Sequence, residues 1–114
     1  MAQFTVEELA KKAGISDLDL DRDCSHVDFL DVYKFIDPWD IIGHHLKLTR
    51  SQISALDSDY KTTDHKRLGA LQKWKETFAH QATYRVLIAA LLACGKAEQG
   101  LEVCKLLAPK QGNS

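Results

Sequence analysis

A chain of 114 residues, 45% hydrophobic and 27% charged, is sized for one ordinary globular domain that needs no disulfide or metal staple. Its net charge of −1 argues against a general polyanion binder, and no apolar run approaches the roughly 18 residues of a membrane span. Cys24, Cys94 and Cys104 are odd in number, widely spaced and free of a CxxC pair, which excludes a disulfide framework and predicts buried thiols.

The opening MAQFTVEELAKK carries two glutamates and lacks the apolar region of a secretory signal, so the chain is expected in the cytoplasm. Thr5-x-x-Glu8 is a capping box before a short helix that ends near Gly14. SDLDLDRDCS is acidic and turn-rich, and it reads as a linker. In HVDFLDVYKFI, Phe29, Val32, Tyr33 and Ile36 share one face and predict the first core helix. Asp37 is placed to cap the next helix with Pro38 at its first position, where a missing amide hydrogen costs nothing. That helix turns Trp39, Ile42 and Leu46 inward. Thr49-x-x-Gln52 is a second capping box, opening a short helix with Ile53 and Leu56 on its inner side.

After the break SDYKTTD, Thr62 or Thr63 caps a helix from about Asp64 to Ala79. Leu68, Leu71, Trp74 and Phe78 form its stripe, and Gly69 is a candidate bend. ATYRVLIAALLACG is the most apolar segment, which predicts a central helix stopped by Gly95 in the left-handed conformation. Ala97, Leu101, Cys104 and Leu107 or Ala108 line a last helix closed by Pro109, and the tail KQGNS is expected to fray. The sum is an all-α protein, an antiparallel six-helix bundle over residues 26–108. A helical extension with its acidic linker precedes it over 1–25, and a flexible tail follows over 109–114.

Charge is unevenly distributed. Residues 17–40 hold eight aspartates against Arg22 and Lys34, whereas residues 41–114 hold eleven Lys or Arg against six acids. Such two-ended patterning lets copies of one protein attract head to tail.

The chemistry-bearing motifs are absent. The pair His44 and His45 cannot face one ion from a regular helix, because adjacent residues point about 100° apart. His26, His44, His45, His65 and His80 show no i,i+4 pairing and no metal-ligand spacing to a cysteine. GxSxG, HExxH and Gly-rich phosphate loops are missing as well. No catalytic residue, cofactor or metal is therefore expected. TVEELAKKAGIS resembles the first helix and turn of a helix-turn-helix, which keeps nucleic-acid binding as the alternative reading. The helix after that turn would be DLDLDRD, whose carboxylates repel phosphates.

Three segments taken together carry a more specific resemblance: PWDIIGHHLKLTRSQISALD, then LGALQKWKETFAHQATYRVLIAALLACG, then AEQGLEVCKLL. In order and spacing they resemble the death-domain family over about residues 26–108. Trp39, Ile42, Leu46, Leu48, Ile53, Leu56, Leu71, Trp74, Leu87, Leu91, Val103 and Leu107 match as core positions. Caspase-recruitment and death-effector domains share the six-helix fold, but Leu71-x-x-Trp74 and the ATYR segment look more like death domains.

The resemblance implies a non-catalytic module for homotypic protein–protein interaction, building oligomeric or helical complexes in cell-death or innate-immune signalling. Its implied partners are other death domains, both copies of itself and a heterologous one, and neither nucleic acid nor membrane. The family's recurring contact types, carried onto this sequence, nominate four surfaces. These are Asp28, Asp31 and Lys34 with Lys73; Arg50, Asp57 and Tyr60; Lys75, Glu76 and His80 with Lys96, Glu98 and Gln99; and Asp64, Lys66 and Arg67.

Overall fold

Capping side chains set most helix starts in the computed structural model, which describes residues 4–24 and 26–107, without the side chains of residues 26–28. Helix α1 (Val6–Ala13) begins where the Thr5 hydroxyl accepts from the Glu8 amide at 3.1 Å and the Glu8 carboxylate accepts from the Thr5 amide at 2.8 Å. It ends at Gly14, left-handed with φ 77°. Helix α2 (Asp17–Leu20) repeats the device with Ser16 and Asp19. Helix α3 (His26–Val32) runs into a tight helical turn at Tyr33–Phe35. Helices α4 (Trp39–His45), α5 (Arg50–Asp59, capped by Thr49 and Gln52) and α6 (Thr63–Phe78, capped by Thr62) follow. A second tight turn at Ala79–Gln81 leads to α7 (Tyr84–Ala93, capped by Thr83) and α8 (Ala97–Leu107).

The molecule is an all-α bundle. Six helices, α3 to α8, make the expected core set, with no strand among the described residues. Helix α6 packs on α3, α4, α5 and the Tyr33–Phe35 turn, and α7 packs on α8 and α4. Trp74 of α6 is 1% exposed, and Ile42, Leu46, Leu71, Leu87, Leu91 and Val103 are fully buried around the same interior. Leu48, Leu56 and Leu107 also lie in the core, while Ile53 packs on it half-buried. None of these helices is long and apolar enough to cross a membrane.

The stretch expected as a linker is structured. Its single turn, α2, buries Leu20 completely, and Cys24 just beyond it is equally buried. Helix α1 packs on α8 and α7 through Leu9 and Ala10, so the N-terminal extension shares the core of the six-helix set.

Four local expectations differ from the structure. Pro38 is the N-cap of α4 rather than its first residue, with ψ 130°, and the Asp37 carboxylate lies 3.4 Å from Arg67 instead of capping. Trp39 is only half-buried because it starts the helix at the rim of the bundle. Gly69 does not divide α6, which runs unbroken through it; a β-carbon there would stand 2.6 Å from the Tyr60 ring and 3.0 Å from Leu56, so glycine serves the close approach of α5. Among the thiols, Cys24 and Cys104 are buried but Cys94 is only half so. Ala108, Pro109 and the KQGNS tail lie outside the described residues.

Candidate interaction surface

The nominated residues at the α5–α6 junction share a single face. Capping at Thr62 starts α6 one short loop after α5, which brings Lys66 to Asp57 at 2.6 Å and Arg67 to both Asp64, at 3.1 Å, and Asp37, at 3.4 Å. Tyr60 closes α5 above Gly69, its ring 6.3 Å from that of His65. The second and fourth nominated surfaces are therefore continuous. Lys66 and Arg67, about 20% exposed, are mostly covered and already paired. Arg50, in contrast, is exposed at the first position of α5, where a cation opposes the helix dipole.

A second cluster forms at the end of α6. Lys75 donates to the Ala79 carbonyl at 3.1 Å, and the His80 Nδ1 and Lys75 Nζ lie 2.8 Å and 3.7 Å from one carboxylate oxygen of Asp23. The hydrogen bond with His80, helped by the Lys75 charge, holds the Asp23 carboxyl below the usual carboxylate range. An acid of the N-terminal extension thus occupies a nominated contact patch. Glu76 pairs with Lys73 along the helix at 3.5 Å.

The remaining nominated residues are spread out. Glu98 and Gln99 share a hollow with Phe35, Leu101 and Glu102, whereas Lys75 and Glu76 flank another beside Phe29 and Gln72. Lys96 is half-buried where its amide donates to the Leu91 carbonyl at the end of α7. On the α3 side Asp31 and Lys34 are exposed, and Lys34 stands over the Phe35 ring at 5.5 Å. The side chain of Asp28 lies outside the described residues.

One residue that sequence reasoning passed over organises the extension. Arg85 of α7 meets Glu7 at 2.6 Å, Asp21 at 2.9 Å and Asp17 at 3.2 Å. Its hydrogen bonds to Asp21 and then Asp17 raise the guanidinium pKa further. Two backbone bonds lie beside this clamp, from Cys24 N–H to the Ala82 carbonyl at 2.9 Å and from Tyr84 N–H to the Arg22 carbonyl at 3.2 Å. The available signal was that Arg85 is the lone charge in ATYRVLIAALLACG, facing an acidic run with few cations of its own.

That clamp also bears on the helix-turn-helix resemblance. The place of a recognition helix is taken by the one-turn, acidic α2, anchored to the protein itself, an arrangement that repels phosphate. His44 and His45 are exposed neighbours whose rings meet edge to face at 5.8 Å. No group of three or more potential metal ligands occurs among the described residues.

Comparison with known families adds one match: the model of the death domain covers residues 24–99. Searches of curated proteins and of solved structures return no match.

Proposed function

The chain belongs to the death-domain family of protein-interaction modules, and from that premise we propose that it binds death domains, its own copies and a heterologous one, and assembles oligomeric or helical complexes. The proposed setting is cell-death or innate-immune signalling in the cytoplasm. Family members are generally non-catalytic, so binding is the whole of the chemistry.

One observation carries this reading. Asp31 on α3, Arg50 at the start of α5 and Lys61 just past its cap are exposed, and none of them forms an ion pair within the described residues. An open acid on α3 and open cations flanking α5 suit a contact between unlike patches of two copies. Such a contact propagates into a ring or helix unless symmetry closes it. Lys66 and Arg67 contribute less than their charge suggests, being committed to Asp57, Asp64 and Asp37. Exposed charges are screened over about 8 Å at physiological ionic strength, so self-association should weaken with added salt.

The test mixes two variants. Asp31→Lys protein and Arg50→Glu/Lys61→Glu protein should each assemble poorly alone and should pair when mixed. Assembly of both variants like the parent, with no change on mixing, overturns the charge-complementary reading.

A further inference from the structure

Residues 4–23 lie ahead of the span that the death-domain model matches, and the face of that span which they cover is basic. Lys75 near the end of α6, His80 in the turn after it and Arg85 in the first turn of α7 all stand there. None of the three meets a carboxylate of the six-helix set among the described residues. Every acid they touch belongs to the extension.

The acids of the extension divide completely between two tasks. Residues 4–24 hold six carboxylates against Lys11, Lys12 and Arg22. Glu8 and Asp19 accept from the amides of Thr5 and Ser16, closing the capping boxes of α1 and α2. The other four reach across to the six-helix set: Glu7, Asp17 and Asp21 surround Arg85, and Asp23 meets His80 and Lys75. Lys11, Lys12 and Arg22 form no ion pair among the described residues; Lys12 stands over the Phe4 ring and Arg22 over the Tyr84 ring. Behind these charges Leu9 and Leu20 are buried, and Asp23 pairs antiparallel with Thr83, the cap of α7. A buried apolar anchor rimmed by matched charges is the anatomy of an interface between two proteins, made here within one chain.

Such a tethered segment competes at an effective concentration on the order of millimolar, above that of a free copy at micromolar levels. It also reverses the sign of the patch. Four carboxylates against Lys75, Arg85 and the adjacent Arg22 leave the patch net negative with His80 neutral, so a further acidic surface meets repulsion.

We propose that the extension is the resident partner of this face: it holds Lys75, His80 and Arg85 away from the carboxylates of other copies and closes the corner of α6 and α7 to assembly. The proposal rests on the homotypic reading above and adds a limit that the chain imposes on itself, leaving the patches of Asp31 and of Arg50 and Lys61 as the open ones.

Sedimentation velocity of the full chain over a concentration series tests it. Asp17→Asn/Asp21→Asn/Asp23→Asn preserves side-chain size and the buried leucines while withdrawing three carboxylates. The triple variant should self-associate about tenfold more tightly than the parent at low salt, and the gain should fade as salt is added. Asp21→Asn alone, the mildest of these changes, should show part of the gain. Adding Arg85→Gln to the triple variant should return it to the parent's behaviour, whereas Lys105→Gln, the same change of charge on α8, should not. A fold that had merely loosened would associate regardless of salt and of Arg85. The proposal is overturned if the Asn variants associate no more than the parent, or if the gain survives Arg85→Gln or high salt. A parent that responds to Asp31→Lys and Arg50→Glu/Lys61→Glu beside Asn variants that change nothing overturns the closed face and leaves the homotypic reading standing. Parent and triple variant both monomeric at several hundred micromolar overturn the two together.

Discussion

Leu9→Ala and Gly100→Ala, made singly and together, should reveal how tightly the extension is built into the core. Leu9 is 2% exposed, and its Cδ1 lies 3.0 Å from where a β-carbon on Gly100 would stand, with Ile88 at 3.6 Å. Truncating a buried leucine loses transfer free energy and leaves a cavity, so Leu9→Ala should cost about 2–5 kcal/mol. Gly100→Ala gains about 1 kcal/mol of helix propensity inside α8. The added methyl forces Leu9 to move by a few tenths of an ångström, and overpacking of that kind costs about 1–3 kcal/mol. Alone, then, Gly100→Ala should be neutral to destabilising by about 2 kcal/mol. Once Leu9 is truncated the obstruction is gone, and the same substitution should stabilise by about 1 kcal/mol. A coupling of about 1–3 kcal/mol between residues of α1 and α8 follows. Urea unfolding followed by far-ultraviolet circular dichroism on the four proteins measures it. A Leu9→Ala cost below about 1 kcal/mol, with the two substitutions additive within about 0.5 kcal/mol, would refute a docked extension.

Other outcomes follow from single sites. Trp74→Ala should cost about 3–5 kcal/mol in the same assay, and Trp39→Ala clearly less, since only Trp74 is fully enclosed. Gly69→Ala should destabilise despite its better helix propensity, because Tyr60 must swing away; restored stability in Gly69→Ala/Tyr60→Ala would confirm the cause. The lowered Asp23 pKa contributes stability that is present above the unfolded-state value and lost as pH falls through the folded one. In Asp23→Asn, that part of the acid-side decline should be missing from stability curves measured below neutrality. Burial pushes the Cys104 thiol up to about 11, so a thiol reagent on the native protein should modify Cys94 first, with Cys24 and Cys104 reacting on unfolding.

The legible parts of this fold are those written in short range. Thr5, Thr49 and Thr62 announce helix starts through contacts three residues long, and the spacing of Leu71, Trp74, Leu87 and Leu91 marks the interior. Sequence alone puts Pro38 one position too far into α4 because its fixed φ suits both the N-cap and the first turn; only ψ separates them. Helix α2 is too short to show a 3.6-residue period, and its partner Arg85 is distant in sequence, so DLDLDRD reads as an acidic connection. Exposure of Asp31 and Arg50 could be read from helix faces. The commitment of Lys66 and Arg67 could be read only in part, since Asp64 lies on the same helix but Asp37 and Asp57 arrive from other elements.

The contact of α1 with α8 also governs when this protein can finish folding. Leu9 and Gly100 are about ninety residues apart, and closing so long a loop adds an entropic cost that short-range helix pairs avoid. Chains emerge from the ribosome at about 5–20 residues per second, so Leu9 waits several seconds for its partner to be made. During that interval the apolar side of α1 is uncovered. Its helix waits too, because an eight-residue segment is too short to hold helical structure in water without the surface it packs on.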